Sequence, residues 1–555
     1  SDRPGSGSVA AAPGTVGARM GTWGARDAYR AVVRDGRGPI AAAALVVALI
    51  GAGQTIAGAV TSGLTTDEPT HLARTQGWLA DGWYVPPALL EDGEPAESRD
   101  ATPYVYGPAF SAIAHAGNVL AGNEPANSVS PERAAWTVRH LTSALIGIGT
   151  ALAVGLGVWL LTASRLFALW AAATLLAIPI WTGMSFFNVK DLPAAAGYTL
   201  LTVGLLLALH GPGGRERPRR REAAVASLVA AGIFIGAGTR LALWAALAAS
   251  LVIYAAIASA RTRSGGPGRE PPASGAVAIG AAAGLVSLVA LYPSAFSRPI
   301  ELLTSSVVDS ADYPYGALTL TAGSGISGDA PWWYLPVWGF ASMPVLILGL
   351  AVAGVVLWIG SLARSGEGGP RDRLRSLAER EDAGVVLVLL QVLLLSVGSV
   401  LIGASLYTGL RQHLYVVPAL AILAGVGAWR LWRRVSAGGG WRRSAAAAGL
   451  PIALLAPAAE GLLLFPFNST YVNPVAGLGG INDRWETDYW FAGSREALSR
   501  VPDRERAYCS ALVPSAEPDS VPSASDCGLN PLLSPFLGER EAPVPAAPGE
   551  DIWVI

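Results

Sequence analysis

Long apolar runs alternate along this 555-residue chain with short polar interruptions. Eleven such runs, at about 39–61, 136–161, 166–183, 193–210, 223–239, 241–260, 274–293, 335–361, 384–405, 413–430 and 444–465, match or approach the roughly 20 residues that a helix needs to cross the hydrocarbon core. The pattern predicts an all-α polytopic membrane protein with about 11 transmembrane helices. One further apolar stretch, YVYGPAFSAIAHAGNVL at 104–120, is too short to span. It reads as an amphipathic helix along the interface, with Tyr104 and Tyr106 at headgroup level. No internal repeat is visible.

Composition agrees: 52% of residues are hydrophobic and 14% charged, too apolar for a soluble chain of this length. The net charge of −1 conceals a strong asymmetry. With the N-terminus cytoplasmic and eleven spans, the inner segments include RERPRRRE (215–222), the Arg-rich 363–382 and RLWRRVSAGGGWRR (430–443), and together hold 25 of the 39 basic residues. That is the positive-inside pattern, so the chain reads N-in and C-out. Residues 1–38 are expected to be a disordered cytoplasmic tail, 39–465 the membrane region with its first outer loop at 62–135, and 466–555 a small extracytoplasmic domain, α/β or irregular. In that oxidising compartment Cys509 and Cys527 are a candidate disulfide. The Ala, Gly and Arg bias points to a GC-rich bacterium, and so to its cytoplasmic membrane. Nothing points to a nucleic-acid partner.

The polar residues at the expected outer ends are few and individual. Asp67, Glu68 and His71 stand in TTDEPTHLARTQGWL just after the first span, with Asp67 and His71 on one helical face. Lys190, the chain's only lysine, is followed by Asp191 in the short loop FNVKDLP. Arg240 sits between two apolar runs without a polar spacer, and Tyr407, Arg411 and His413 come from LYTGLRQHLYVVP. Outer positions usually shed Lys and Arg, so Lys190, Arg240 and Arg411 facing Asp67, Glu68 and Asp191 suggest an anion site beside a carboxylate. Trp485, Tyr489 and Trp490, in a Gly- and Asn-rich loop, are suited to stacking on sugar faces or to packing the last segment on the membrane region. No Walker loop, dinucleotide fingerprint, nucleophile elbow or Cys/His metal spacing is present. Asp67 with His71 is the one plausible metal pair, so a divalent metal is possible but not favoured, and no cofactor is expected.

Taken in order, DEPTHL, YGP, FNVKDLP, RQHLYVVPALAILAG and the late TDYWFAGSREAL resemble the GT-C glycosyltransferases, closest to the protein O-mannosyltransferase and aminoarabinose-transferase (ArnT-like) branch. The resemblance covers about 39–465. It implies an inverting transfer from a polyprenyl-phosphate-linked sugar to an acceptor hydroxyl on a glycan, lipid or protein, at the outer face of the membrane. By motif match Asp67 would be the catalytic base, with Glu68 supporting or substituting, and Asp191 the second acidic position. Lys190 would meet the lipid phosphate and Arg411 would be a further phosphate contact, with Arg240 nearby. Relatives often read RHL where this chain reads RQHL, so Arg411 and His413 could exchange roles. His71, Tyr106, Tyr407 and the late aromatics remain for sugar or acceptor. The chemistry fits independently, since an inverting displacement needs a base on the acceptor and cations on the departing phosphate. Two alternatives stand: a transporter or flippase for a lipid-linked sugar, and a metal-dependent glycan or oligosaccharide transferase.

Overall fold

The computed structural model describes residues 37–98, 101–123, 133–210, 219–264, 271–313, 315, 318–328, 330–363, 377–378, 380, 382–437, 440–493 and 495–496, with the backbone alone of 507–509 and 553–554. Residues 1–36 of the expected N-terminal tail and the side chains of the expected Cys509–Cys527 disulfide therefore lie outside the described residues.

Apart from short turns, the order is α1 (Gly38–Thr61), α2 (Asp67–Asp81), α3 (Ala109–Leu120), α4 (Arg133–Thr162), α5 (Arg165–Ala177), α6 (Pro179–Phe187), α7 (Asp191–Leu209) and α8 (Arg219–Thr239). The second half has α9 (Trp244–Ser264), α10 (Ser274–Leu291), α11 (Pro299–Ala311), α12 (Tyr334–Ala341), α13 (Val345–Ala363), α14 (Val385–Leu401), α15 (Val416–Ala437) and α16 (Gly440–Leu464). Among the described residues nine helices are long and apolar enough to cross a membrane, and the bent pair α5–α6 makes a tenth. This is an integral membrane protein. Where an eleventh run was expected, α14 has 17 residues.

The interruptions have local causes. α5 and α6 meet at 66° because Pro179 cannot continue a helix through Ile178 and instead starts a new one. The run at 335–361 divides into α12 and α13 at Ser342–Pro344 for the same reason. α7 is the central helix, 94% of its apolar window lying inside the protein. It packs on α8 backbone to backbone, and a Cβ on Gly197 would stand 2.2 Å from the Gly236 nitrogen. Small residues are what allow two membrane helices this close.

The helix expected over 104–120 is shorter. Only Ala109–Leu120 is helical, and Tyr104 is buried beside Trp83 and Tyr292. The preceding chain is drawn inward because Tyr106 and Arg240 pair as an antiparallel bridge, with the Gly107 N–H donating to Thr239 O at 3.0 Å and the Leu241 N–H to Val105 O at 3.3 Å. That bridge carries Tyr106 into the bundle.

Candidate functional site

Four segments far apart in sequence converge at one end of the bundle: the start of α2, the Tyr106 bridge, the α6–α7 turn and the turn before α15. Asn188 shapes the third. Its Oδ1 accepts the N–H groups of Lys190 at 3.0 Å and Asp191 at 2.7 Å, an Asx-type cap that starts α7 and turns both side chains inward. In the fourth, left-handed backbone at Thr408 (φ 52°) and Gly409 (φ 74°) reverses the chain, and the Thr408 hydroxyl accepts from Arg411 Nε.

The ion pairs form one network. Lys190 Nζ lies 2.7 Å from Asp67 Oδ2, and Arg411 Nη1 lies 3.5 Å from the same oxygen and 4.0 Å from Asp191 Oδ2. Arg240 Nη2 donates to Asp191 Oδ1 at 2.5 Å. Three cations thus share two carboxylates, leaving one positive charge in a low-dielectric setting where an anion is strongly favoured. The carboxylates differ in access: the Asp67 side chain is 27% exposed and that of Asp191 1%. Burial alone would raise the Asp67 carboxyl, but Lys190 and Arg411 outweigh it and hold it well below the usual carboxylate range.

Aromatic rings complete the walls. Tyr106 lies beneath the cations, its ring centroid 5.2 Å from Lys190 Nζ and 5.6 Å from the Arg240 guanidinium. Arg411 is faced by Tyr407, Tyr489 and Trp490 at 5.0, 4.8 and 4.9 Å. The Trp490 carbonyl accepts the Thr66 N–H at 3.2 Å, tying the late aromatic segment to the start of α2. Beside the network is a cavity of about 150 Å³. Its lining combines Asp191, Arg240, Gln412, His413 and Tyr415 with the apolar Leu243, Val307, Leu395 and Ile402. Among the described residues Arg240 Nε is buried there without a hydrogen-bond partner, so the cavity has an unused charged donor at its wall.

The structure brings together Asp67, Lys190, Asp191, Arg240, Arg411, Tyr106, Tyr407, Tyr489 and Trp490. Glu68 is not among them. It is fully buried, accepting from the Thr65 N–H at 2.8 Å and the Thr65 hydroxyl at 3.0 Å, with His140 Nε2 2.7 Å away. Neighbouring helical residues diverge by roughly 100°, so Glu68 caps α2 while Asp67 faces the network. Trp485 also packs elsewhere, edge-on to Trp338 at 5.0 Å with its indole N–H donating to Ala476 O at 3.2 Å; it stacks on no open face. His71 stands behind Tyr106 with Nδ1 3.0 Å from the Tyr84 hydroxyl. His413 lines the adjacent cavity, with its Nε2 3.1 Å from Ser399 Oγ. Burial and then Arg240 push it down to about 4, so it is neutral. Among the described residues no three His, Cys, Asp or Glu side chains are grouped as a metal site.

No family model and no curated protein matches the chain, but solved structures do. The structure of ArnT from Cupriavidus metallidurans bound to undecaprenyl phosphate aligns at a TM-score of 0.48 and 13% identity, over 84% of this chain and 82% of that one. The oligosaccharyltransferase of Archaeoglobus fulgidus in complex with zinc and sulfate aligns at 0.48 and 13%, over 83% of this chain and 56% of its own. This chain therefore spans little more than half of the oligosaccharyltransferase.

Sequence reasoning passed over His140, Asn188 and Tyr315. Asn188 had a signal, a helix-capping side chain three residues ahead of Asp191. His140 had none, because its partner Glu68 lies 72 positions away. Nor did Tyr315, which stacks on Tyr407 at 3.9 Å.

Proposed function

We propose that this protein is an inverting glycosyltransferase that moves a sugar from a polyprenyl-phosphate-linked donor to an acceptor hydroxyl, at the extracytoplasmic face of a bacterial cytoplasmic membrane. One observation carries the reading: Asp67 is the accessible carboxylate of a buried network with one excess positive charge, beside a cavity lined by both charged and apolar side chains. A lipid-linked phosphodiester has the complementary form, one negative charge at the end of a long apolar chain.

In this reading the donor phosphate lies among Lys190, Arg240 and Arg411, and the acceptor hydroxyl approaches Asp67 from the other side of the anomeric carbon. The acceptor oxygen forms the new bond to that carbon as the bond to the phosphate oxygen breaks. The electron pair leaves on the phosphate, where guanidinium and ammonium groups match the growing charge, and the hydroxyl proton passes to Asp67. The incoming phosphate competes with Asp67 for Lys190 and Arg411. Its arrival weakens the contacts that hold this carboxyl acidic, so the base strengthens when the donor is in place. Asp191, enclosed and bound to Arg240, acts as an organiser of the cations rather than as the base. Tyr106, Tyr407, Tyr489 and Trp490 supply ring faces for the sugar. The acceptor is a glycan, lipid or protein hydroxyl.

The test supplies the purified protein in lipid with a panel of polyprenyl-phosphate sugars and an envelope extract, and measures release of free polyprenyl phosphate. Wild type releases it from one donor, Asp67→Asn does not, and Lys190→Ala is slower by about a hundredfold. Equal release by all three proteins overturns the assignment of the site. Transport of an intact lipid-linked sugar without cleavage would support the flippase alternative.

A further inference from the structure

Of the three cations in the network, Arg411 has the longest ion pairs. It meets Asp67 at 3.5 Å and Asp191 at 4.0 Å, whereas Lys190 and Arg240 make contacts of 2.7 and 2.5 Å. Its bond to Thr408 lies within its own turn, so its place depends on what holds the backbone beneath it. On one side the Thr319 hydroxyl accepts the Thr408 N–H at 3.0 Å, and the Tyr334 hydroxyl accepts the Gly409 N–H at 2.9 Å. On the other side the chain runs into α15, and there it meets α14.

Gln391 interrupts a run of valines and leucines from 385 to 395 and is fully buried. Its Nε2 donates to Tyr415 O at 2.8 Å and to Thr199 Oγ1 at 3.0 Å, and its Oε1 accepts from the Thr202 hydroxyl at 2.7 Å. Tyr415 is four residues beyond Arg411. Thr199 and Thr202 belong to α7, about 12 and 16 Å along the helix from Asp191 at 1.5 Å per residue. One amide therefore bonds both the helix that starts at Asp191 and the segment that carries Arg411. The threonines do not need it: their hydroxyls also lie 2.8 Å from Ala195 O and 3.0 Å from Tyr198 O. An apolar residue at 391 would strand no side-chain group, so what the amide adds is fixed spacing more than stability.

The upper half of α14 shows what that spacing controls. Beyond Gln391 no residue of this helix is buried, and Leu393 and Leu401 face outward at 51 and 79% exposure. Leu395 and Ser399, four and eight residues on and so on the Gln391 face, line the cavity beside the network. Gln391 is thus the last buried anchor of a half-helix that walls that cavity.

We propose that Gln391 is a positioning residue for donor binding: through Thr199, Thr202 and Tyr415 it sets the distance from Asp191 to Arg411, and with it the width of the phosphate cage. The inference rests on the reading of this network as the donor-phosphate site. The test compares wild type with Gln391→Leu and with Gln391→Met, which keeps the length of glutamine without its hydrogen bonds, all in nanodiscs. On the donor that wild type cleaves, both variants raise KM about tenfold and keep kcat within about twofold. Tm stays within about 2 °C. Hydrogen exchange over residues 405–415 speeds up about tenfold, and exchange over α2 does not change. Unchanged KM or unchanged exchange in Gln391→Leu overturns the inference. Wild-type KM and exchange in Gln391→Met do so too, because shape alone would then suffice. A lower Tm and kcat at constant KM would make Gln391 a stability contact, which also overturns it. The exchange measurement needs no turnover. If wild type cleaves no donor, the transferase reading fails, and exchange still decides whether Gln391 holds this turn.

Discussion

The two ends of the bundle each gather guanidiniums around a carboxylate, and they do so to different depths. At one end Asp191 is 1% exposed and holds Arg240, with Arg411 4.0 Å away. At the other, Asp382 is 17% exposed and holds Arg380 and Arg430. The first network is sealed by tyrosines and a tryptophan and adds a lysine and a second, more accessible carboxylate; the second opens into a wide hollow. Buried charges carry a desolvation penalty that a good ion-pair network only offsets, and partly hydrated ones carry much less. The comparison teaches where the molecule commits free energy: most of it at Asp191, which has given up nearly all its water, and less at Asp382, which keeps some.

The comparison is broken most directly at the two ends' key acids. Asp67→Asn should lower turnover by about a thousandfold, whereas Asp382→Asn should leave it within about twofold, both read as polyprenyl phosphate release; similar losses would mean that the ends are not functionally distinct. Stability gives a second contrast. Asp191→Ala leaves buried guanidiniums without their partner and should cost about 3–5 kcal/mol, against about 1 kcal/mol for Asp382→Ala, measured by chemical denaturation in mixed micelles. An equal loss at both sites would contradict the assigned difference in depth.

Protonation sharpens the picture further. His413 titrates near 4 in the folded protein against 6.5 when unperturbed, so between those values the unfolded chain binds more protons. Stability should therefore fall as pH drops from about 6.5 to about 4, by roughly 3 kcal/mol, and His413→Gln should flatten that limb of a Tm-against-pH curve. A wild-type curve already flat there would mean that His413 is not held neutral. The smallest effect concerns the ring beneath the cations. Tyr106→Leu should raise the donor KM about tenfold and Tyr106→Phe less than threefold, since the ring lies beneath two cations and the hydroxyl meets Lys190 alone. Equal effects would assign the work to the hydroxyl, 3.5 Å from Lys190 Nζ.

Much of this was legible in the chain itself. Apolar runs of membrane length are a local property, so they located the helices, and Pro179 and Pro344 marked breaks that run length alone overlooked. The charges at the expected outer ends stood out because they were few and singly placed, and Asp67, Lys190, Asp191, Arg240 and Arg411 do meet. What one sequence could not supply was direction. Asp67 and Glu68 are adjacent and chemically alike, yet one faces the network and the other is locked to Thr65 and to His140, 72 positions on. Trp485 and Trp490 sit five residues apart in one loop, and only Trp490 reaches Arg411. Tyr104 and Tyr106 read alike as interfacial rings until the bridge to Arg240 draws them inward. Hydropathy and charge act along the chain and can be read there. Which side chain faces which partner depends on contacts between segments hundreds of residues apart, and those exist only once the helices have packed.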